Sequence, residues 1–178
     1  MKSLIIILLL LGLCLPSYSQ DQKKDSVQGK MKVIELPPVV IKRVGKDFSV
    51  YLPDNNPDQT VRTIEEKFIA YDLGKDYEGS EEYLLVMSTK KGTLSATYNE
   101  NGKLVRVVEE YKNVRLPSEV IYSIYRTYPG WAIVNDQFLY TQREGGDVTK
   151  KQYNVKIKKD NETVKLVVRP DGEILKIK

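Results

Sequence analysis

The 178-residue chain contains no histidine. That absence removes the side chain most used as a general base near neutral pH, the usual partner of a serine or cysteine nucleophile, and the commonest zinc ligand. Cysteine is nearly absent as well, with Cys14 alone. Without a second cysteine there is no intrachain disulfide, no Cys-x-x-Cys redox pair and no cysteine-based zinc site. The charge excess is small, a formal +4 over the whole chain, which is too mild to imply nucleic acid. No apolar run reaches the roughly 20 residues that a bilayer-spanning helix needs. What is present is 41% apolar and 29% charged residues, a composition that can bury a core.

The first 19 residues predict a cleavable export signal. Lys2 is the positive start, Leu4 to Leu15 the apolar stretch, and Ser17-Tyr18-Ser19 the small-x-small site, so the mature chain is expected to begin at Gln20. Lipidation at Cys14 is disfavoured, because Leu13 precedes it and the cysteine sits inside the apolar stretch. Removal of the leader takes Lys2 and leaves 27 basic against 24 acidic side chains. The expected address is periplasmic or secreted, with no membrane span in the mature chain.

Residues 20–52 read as a flexible lead followed by short β-type runs, Lys32 to Leu36, Val39 to Arg43 and Phe48 to Leu52, interrupted by Pro37-Pro38. Between Thr60 and Tyr71, Val61, Ile64, Phe68 and Tyr71 recur on one helical face, with Asp58 or Thr60 available as a cap. A second helix is predicted from Pro117 to Tyr128, striped by Val120, Ile121, Ile124, Tyr125 and Tyr128. The remaining segments alternate as strands: Tyr83 to Thr89, Thr93 to Tyr98 and Leu104 to Tyr111, then Trp131 to Tyr140, Tyr153 to Ile157, Thr163 to Val168 and Ile174 to Ile177.

Residues 81–107 overlay 151–177 at a constant shift of 70. The overlay matches Tyr83 with Tyr153, Ala96 with Leu166, Gly102 with Gly172 and Leu104 with Ile174. The helices overlay at a shift of 57, pairing Ile64 with Ile121 and Phe68 with Tyr125. The predicted class is therefore α+β: two tandem helix-plus-antiparallel-sheet units, residues 53–113 and 114–178, each helix packed on one face of a three- or four-stranded meander.

Four segments carry a family resemblance. Leu116-Pro117-Ser118-Glu119-Val120-Ile121, Tyr128-Pro129-Gly130-Trp131, Tyr153-Asn154-Val155-Lys156-Ile157 and Asp171-Gly172-Glu173-Ile174-Leu175 resemble the PepSY-like exported proteins of Bacteroidetes, related in fold to β-lactamase inhibitory protein. The resemblance covers about residues 86–178. It implies tandem helix-plus-sheet units in the cell envelope and no defined catalytic motif. The inhibitor relatives bind protein partners across the exposed sheet face.

No catalytic, cofactor-binding or metal-ligating residue is expected. The carboxylate pairs Glu65-Glu66, Glu81-Glu82 and Glu109-Glu110 are adjacent in sequence and should splay apart as solvated surface, and residues 54–58 read as a loop and helix cap with calcium as the weaker alternative. Residues 150–178 hold nine basic against four acidic side chains. Lys156, Lys158, Lys165 and Arg169 should face away from the helix, where they discourage edge pairing or meet an acidic partner. Tyr122, Trp131 and Tyr140 complete the candidate partner-contact surface, since aromatic residues make strong anchors when exposed. The expectation is a monomeric, non-enzymatic protein-binding or inhibitor-like module with an envelope protein as partner. A structural or assembly component using Val33 to Arg43 as an edge strand is the alternative. A carboxylate-dependent hydrolase is a remote third.

Overall fold

The computed structural model describes residues 39–43 and 48–177. The expected leader, the lead of residues 20–30 and the run from Lys32 to Leu36 lie outside the described residues. Two sheets and two helices follow in chain order. Strands β1 (Val40–Arg43) and β2 (Ser49–Tyr51) pair antiparallel as a small sheet. Helix α1 (Gln59–Ala70) precedes β3 (Glu82–Ser88), β4 (Gly92–Asn99) and β5 (Leu104–Lys112). Helix α2 (Ser118–Thr127) precedes β6 (Ala132–Arg143), β7 (Val148–Lys159), β8 (Glu162–Val168) and β9 (Ile174–Ile177). The class is α+β, mostly antiparallel sheet.

The strands β3 to β9 form one seven-stranded meander in sequence order. The join is β5 with β6, paired from Arg106 opposite Arg143 to Lys112 opposite Gln137. The two stretches that the sequence separates therefore share a sheet. Their internal registers also coincide at the shift of 70. Tyr83 faces Tyr98 as Tyr153 faces Val168, and Ala96 faces Val107 as Leu166 faces Ile177. Even the irregularity repeats, between Thr97 and Tyr98 in β4 and between Val167 and Val168 in β8. The turns after these strands reuse one device: Gly102 and Gly172, both at positive φ, donate their N–H groups to Asn99 and Arg169.

Each helix starts and stops for local reasons. Asp58 caps α1 by accepting from the Thr60 N–H at 2.8 Å, and Pro117 precedes α2 where a missing N–H costs nothing. Val61, Ile64 and Phe68 of α1 and Val120 and Ile124 of α2 enter a single core cluster with Leu94, Ala96, Val107, Tyr111, Phe138, Tyr153, Val155, Ile157 and Leu166. Both helices thus cover the same face of the sheet. Ile121 and Tyr125 are exposed instead of buried, so the equivalent helix positions are Ile64 with Val120 and Phe68 with Ile124, one residue off the overlay read from sequence. A stripe of four apolar positions on a ten-residue helix, with Tyr128 just past its end, is wider than the face the sheet can cover.

Strand β2 is drawn into this core from the small sheet. Tyr51 packs edge-on against Phe68 with ring centroids 4.9 Å apart. The buried Gln142 of β6 holds the chain beside it, accepting from the Leu52 N–H at 2.9 Å and donating to the Val50 carbonyl.

Candidate functional site

The opposite face of the large sheet carries no helix among the described residues. Alternation along β7 and β8 sends Tyr153, Val155, Ile157, Leu166 and Val168 inward, and leaves Asn154, Lys156, Lys158, Lys165 and Val167 outward. With Lys112 from β5 and Asn135 and Gln137 from β6, Asn154, Lys156, Lys165 and Val167 line an open hollow of about 680 Å³, and Lys158 lies outside it. Its floor is amide and aliphatic, and its charged groups are mostly lysines. Lys156 and Lys165 are direct cross-strand partners, and neither forms an ion pair among the described residues. Two like charges opposite each other in a sheet repel, so this pair costs stability where it stands.

The structure splits the other predicted contact residues between faces. Arg169 sits in the β8–β9 turn, where it pairs with Glu173. Tyr122 is 67% exposed on the solvent side of α2, with the Arg126 guanidinium 5.7 Å from its ring centre. Trp131 is half-buried, stacked edge-on against Tyr128 at 5.9 Å. Tyr140 is not a surface anchor. It points inward on β6 and is buried, and its hydroxyl donates to the Leu52 carbonyl at 2.6 Å. Alternation explains the difference, because Phe138, Tyr140 and Gln142 all fall on the helix side. Lys151 also turns inward, its Nζ 2.7 Å from Asp54 Oδ1. The edge segment proposed from Val33 to Arg43 is in part already used, since Val40–Arg43 pairs with β2.

Two of the carboxylates read as solvated surface are in fact buried. Glu65 is 3% exposed and Glu109 fully buried, while Glu66, Glu81, Glu82 and Glu110 remain outside. Adjacent residues diverge as expected, but in each of these two pairs one member goes to the core. The cluster they form is tied to the loop before α1. Glu65 accepts from the Asp54 N–H at 2.9 Å, Asp54 accepts from Asn56 at 3.0 Å, and Asn56 also donates to the Tyr153 hydroxyl at 3.2 Å. Burial pushes Glu65 up to about 7, with the neighbouring Asp54 carboxyl adding to the rise, and drives Glu109 well above the usual carboxylate range. Asp58 goes the other way: burial alone would raise it, but Lys91 and the N–H groups of Arg115 and Thr60 hold it near 2.

This cluster does not make an active site. Glu65 and Glu109 are sealed between α1 and the sheet, so no substrate bond can lie between them. Among the described residues no group of three or more acidic, cysteine or histidine side chains could hold a metal ion, and no helix is long and apolar enough to cross a membrane. The loop of residues 54–58 serves as the cap of α1 and the lid of this polar core.

No protein-family model and no curated protein matches the chain. Solved structures give distant likenesses. One is a DUF2874 family protein of Bacteroides ovatus, 16% identical, TM-score 0.35, covering 70% of this chain and 88% of that one. A proposed periplasmic protein of Bacteroides eggerthii is 12% identical, TM-score 0.34, covering 55% and 70%. A BLIP-like protein of Bacteroides fragilis is 13% identical, TM-score 0.31, covering 72% and 87%.

Proposed function

We propose that the chain is an exported, non-enzymatic protein-binding module of the cell envelope, of the PepSY-like kind, built by duplication of a helix-plus-meander unit. It holds a protein partner against the uncovered sheet face around Lys156, Lys158 and Lys165. The observation that carries this reading is the placement of Lys156 directly opposite Lys165 on a face that no helix covers among the described residues. A repulsive pair at a stable strand centre is relieved when an acidic surface docks across it, and one-signed charge also speeds the encounter. The amides of Asn135, Gln137 and Asn154 supply directional hydrogen bonds beside the charge. The coinciding strand registers support duplication, and the leader pattern supports export. Tyr122 and Trp131, on the helix side, belong to a different surface and are not assigned to this contact.

A photo-crosslinking side chain at Asn154, on the uncovered face, tests the reading in living cells. It should capture an envelope protein that the same probe at Glu66, on the helix side, does not capture. K156E/K165E should remove the adduct while leaving the thermal unfolding midpoint within a few degrees. Capture that is equal from both positions, or that survives the charge reversal, overturns the assignment.

A further inference from the structure

The large sheet has two edges, and they are built differently. At one end β9 is four residues long, joins β8 through an irregular register, and has Lys165, Arg169 and Lys176 around it. Short length, a bulge and lysines are the usual means by which an edge avoids pairing with another chain. At the other end β3 has none of them. It runs seven residues, Glu82-Tyr83-Leu84-Leu85-Val86-Met87-Ser88, in uninterrupted register with β4, with no lysine and no proline. Leu84 and Val86 on its outward face are 60% and 50% exposed, and among the described residues nothing pairs with its free side.

The internal repeat shows what that side can accept. At the shift of 70, β3 corresponds to the part of β7 from Gln152 to Lys158, and there the same side is occupied by β6 in antiparallel pairing. The Thr89 N–H donates to the Gly92 carbonyl at the β3–β4 turn. Counting back by twos, Met87, Leu85 and Tyr83 turn their backbone groups to β4, while Ser88, Val86, Leu84 and Glu82 aim theirs outward.

From this we infer that β3 is a homodimer interface: two copies of this chain pair β3 with β3, antiparallel, about a two-fold axis at Leu85. That register places Leu84 opposite Val86, Glu82 opposite Ser88 and Tyr83 opposite Met87. All four outward-aimed residues then meet outward-aimed partners, as an antiparallel ladder requires. The exposed Leu84 and Val86 cover each other, the Met87 sulfur meets an aromatic ring, and no like charges face across the dyad. An isologous contact of this kind closes at two copies, whereas a β3-to-β9 contact would propagate. This proposal replaces the monomer expected from the sequence.

The test uses the mature exported chain purified after expression with its own leader, measured by light scattering and sedimentation across a wide concentration range. A mass of two chains is expected, with slowed amide exchange at Glu82, Leu84, Val86 and Ser88. L84K/V86K, both at exposed positions, sets lysine opposite lysine and should weaken the dimer at least about tenfold. Mixing it with L84E/V86E should restore a heterodimer. Should these variants misfold, L85C in an oxidising buffer should give a two-chain disulfide at the axis. A single-chain mass with slow exchange at those four amides means that the chain's own N-terminal segment covers the edge, and overturns the proposal. So does a single-chain mass with fast exchange, a dimer unaffected by L84K/V86K, or the absence of a disulfide in L85C.

Discussion

Tyr51 donates its hydroxyl proton to Oε1 of Glu109 across 3.0 Å, linking the small sheet to the middle strand region of the large one. The contact joins an N-terminal strand to a carboxyl that no solvent reaches, so the small sheet is part of the core and not an appendage. Taken alone the Tyr51 bond favours the ionised carboxylate, but burial and the neighbouring Glu65 and Asp54 carboxyls outweigh it. An ionised Glu109 would sit beside Glu65 and Asp54 in a medium that solvates charge poorly, and the neutral acid is the form that folding favours.

Stability should therefore fall as pH rises. Glu65 and Glu109 bind their protons more tightly folded than unfolded. Their contribution is complete below the ordinary value of 4.5 and is lost as pH rises, through about 7 for Glu65 and higher for Glu109. For Glu65 the loss is roughly 3 kcal/mol at about 1.4 kcal/mol per unit. Asp58 has the opposite sign, its contribution being complete above 3.8 and lost as pH falls through about 2. The unfolding midpoint should thus be higher at pH 5 than at pH 8. E109Q should raise the midpoint at pH 8, leave it nearly unchanged at pH 5, and flatten the slope. A wild-type midpoint that climbs from pH 5 to pH 8 would contradict the buried neutral acids.

Relief of the lysine pair should show as added stability. K165Q removes one of two charges that face each other, and is expected to stabilise the fold by a few tenths of a kcal/mol at low salt, with the gain shrinking as salt screens the repulsion. Chemical denaturation at two ionic strengths measures both. If K165Q binds its partner less well while folding more stably, charge at this position serves recognition.

The strands from β3 to β5 and β8 are legible in the sequence because each has one more buried and one more open face, which writes period two into the residues. The start of β7 is not. Val148 to Lys151 stays exposed throughout, even though Lys151 reaches in to Asp54, at the far end of a twelve-residue hairpin arm, so alternation disappears and Thr149-Lys150-Lys151 reads as loop. Glu109 falls between Val107 and Tyr111 on the inward set, so the period of β5 places it in the core against the usual exposure of carboxylates. Tyr140 shows the reverse, since its inward phase follows only from its sharing a face with buried Phe138 and Gln142. The uncovered lysine face could be read from β7 and β8, whereas its contact with Lys112 and Gln137 needed the β5–β6 pairing, a long-range fact that no local pattern contains.

Asp58 should be the costliest single loop residue to replace. It caps α1, binds Lys91 at 2.7 Å and accepts from the Arg115 N–H at 2.7 Å, so one carboxyl serves α1, the β3–β4 turn and the approach to α2. D58A leaves three donors without their acceptor and should cost about 2 to 4 kcal/mol, more than the roughly 1 kcal/mol of an ordinary cap. D58N, which keeps the cap but not the charge, should recover part of this. Urea denaturation of both variants separates the cap from the ion pair, and an equal loss in the two would assign the whole effect to charge.

Two glycines with similar backbones should respond unequally to the same change. Gly145 and Gly172 both have positive φ, 76° and 90°, so alanine at either pays for a left-handed backbone, roughly 1 to 2 kcal/mol. Around Gly145 the space for a Cβ is open. At Gly172 the new carbon would lie 2.6 Å from the Glu119 carbonyl oxygen and 3.2 Å from Ser123 Cβ, both on α2. G172A must therefore also push α2 away from the turn, disturbing the seating of Val120 and Ile124, and should lose at least about 1 kcal/mol more than G145A. Equal losses in parallel denaturation curves would mean that α2 does not press on the β8–β9 turn as the structure places it.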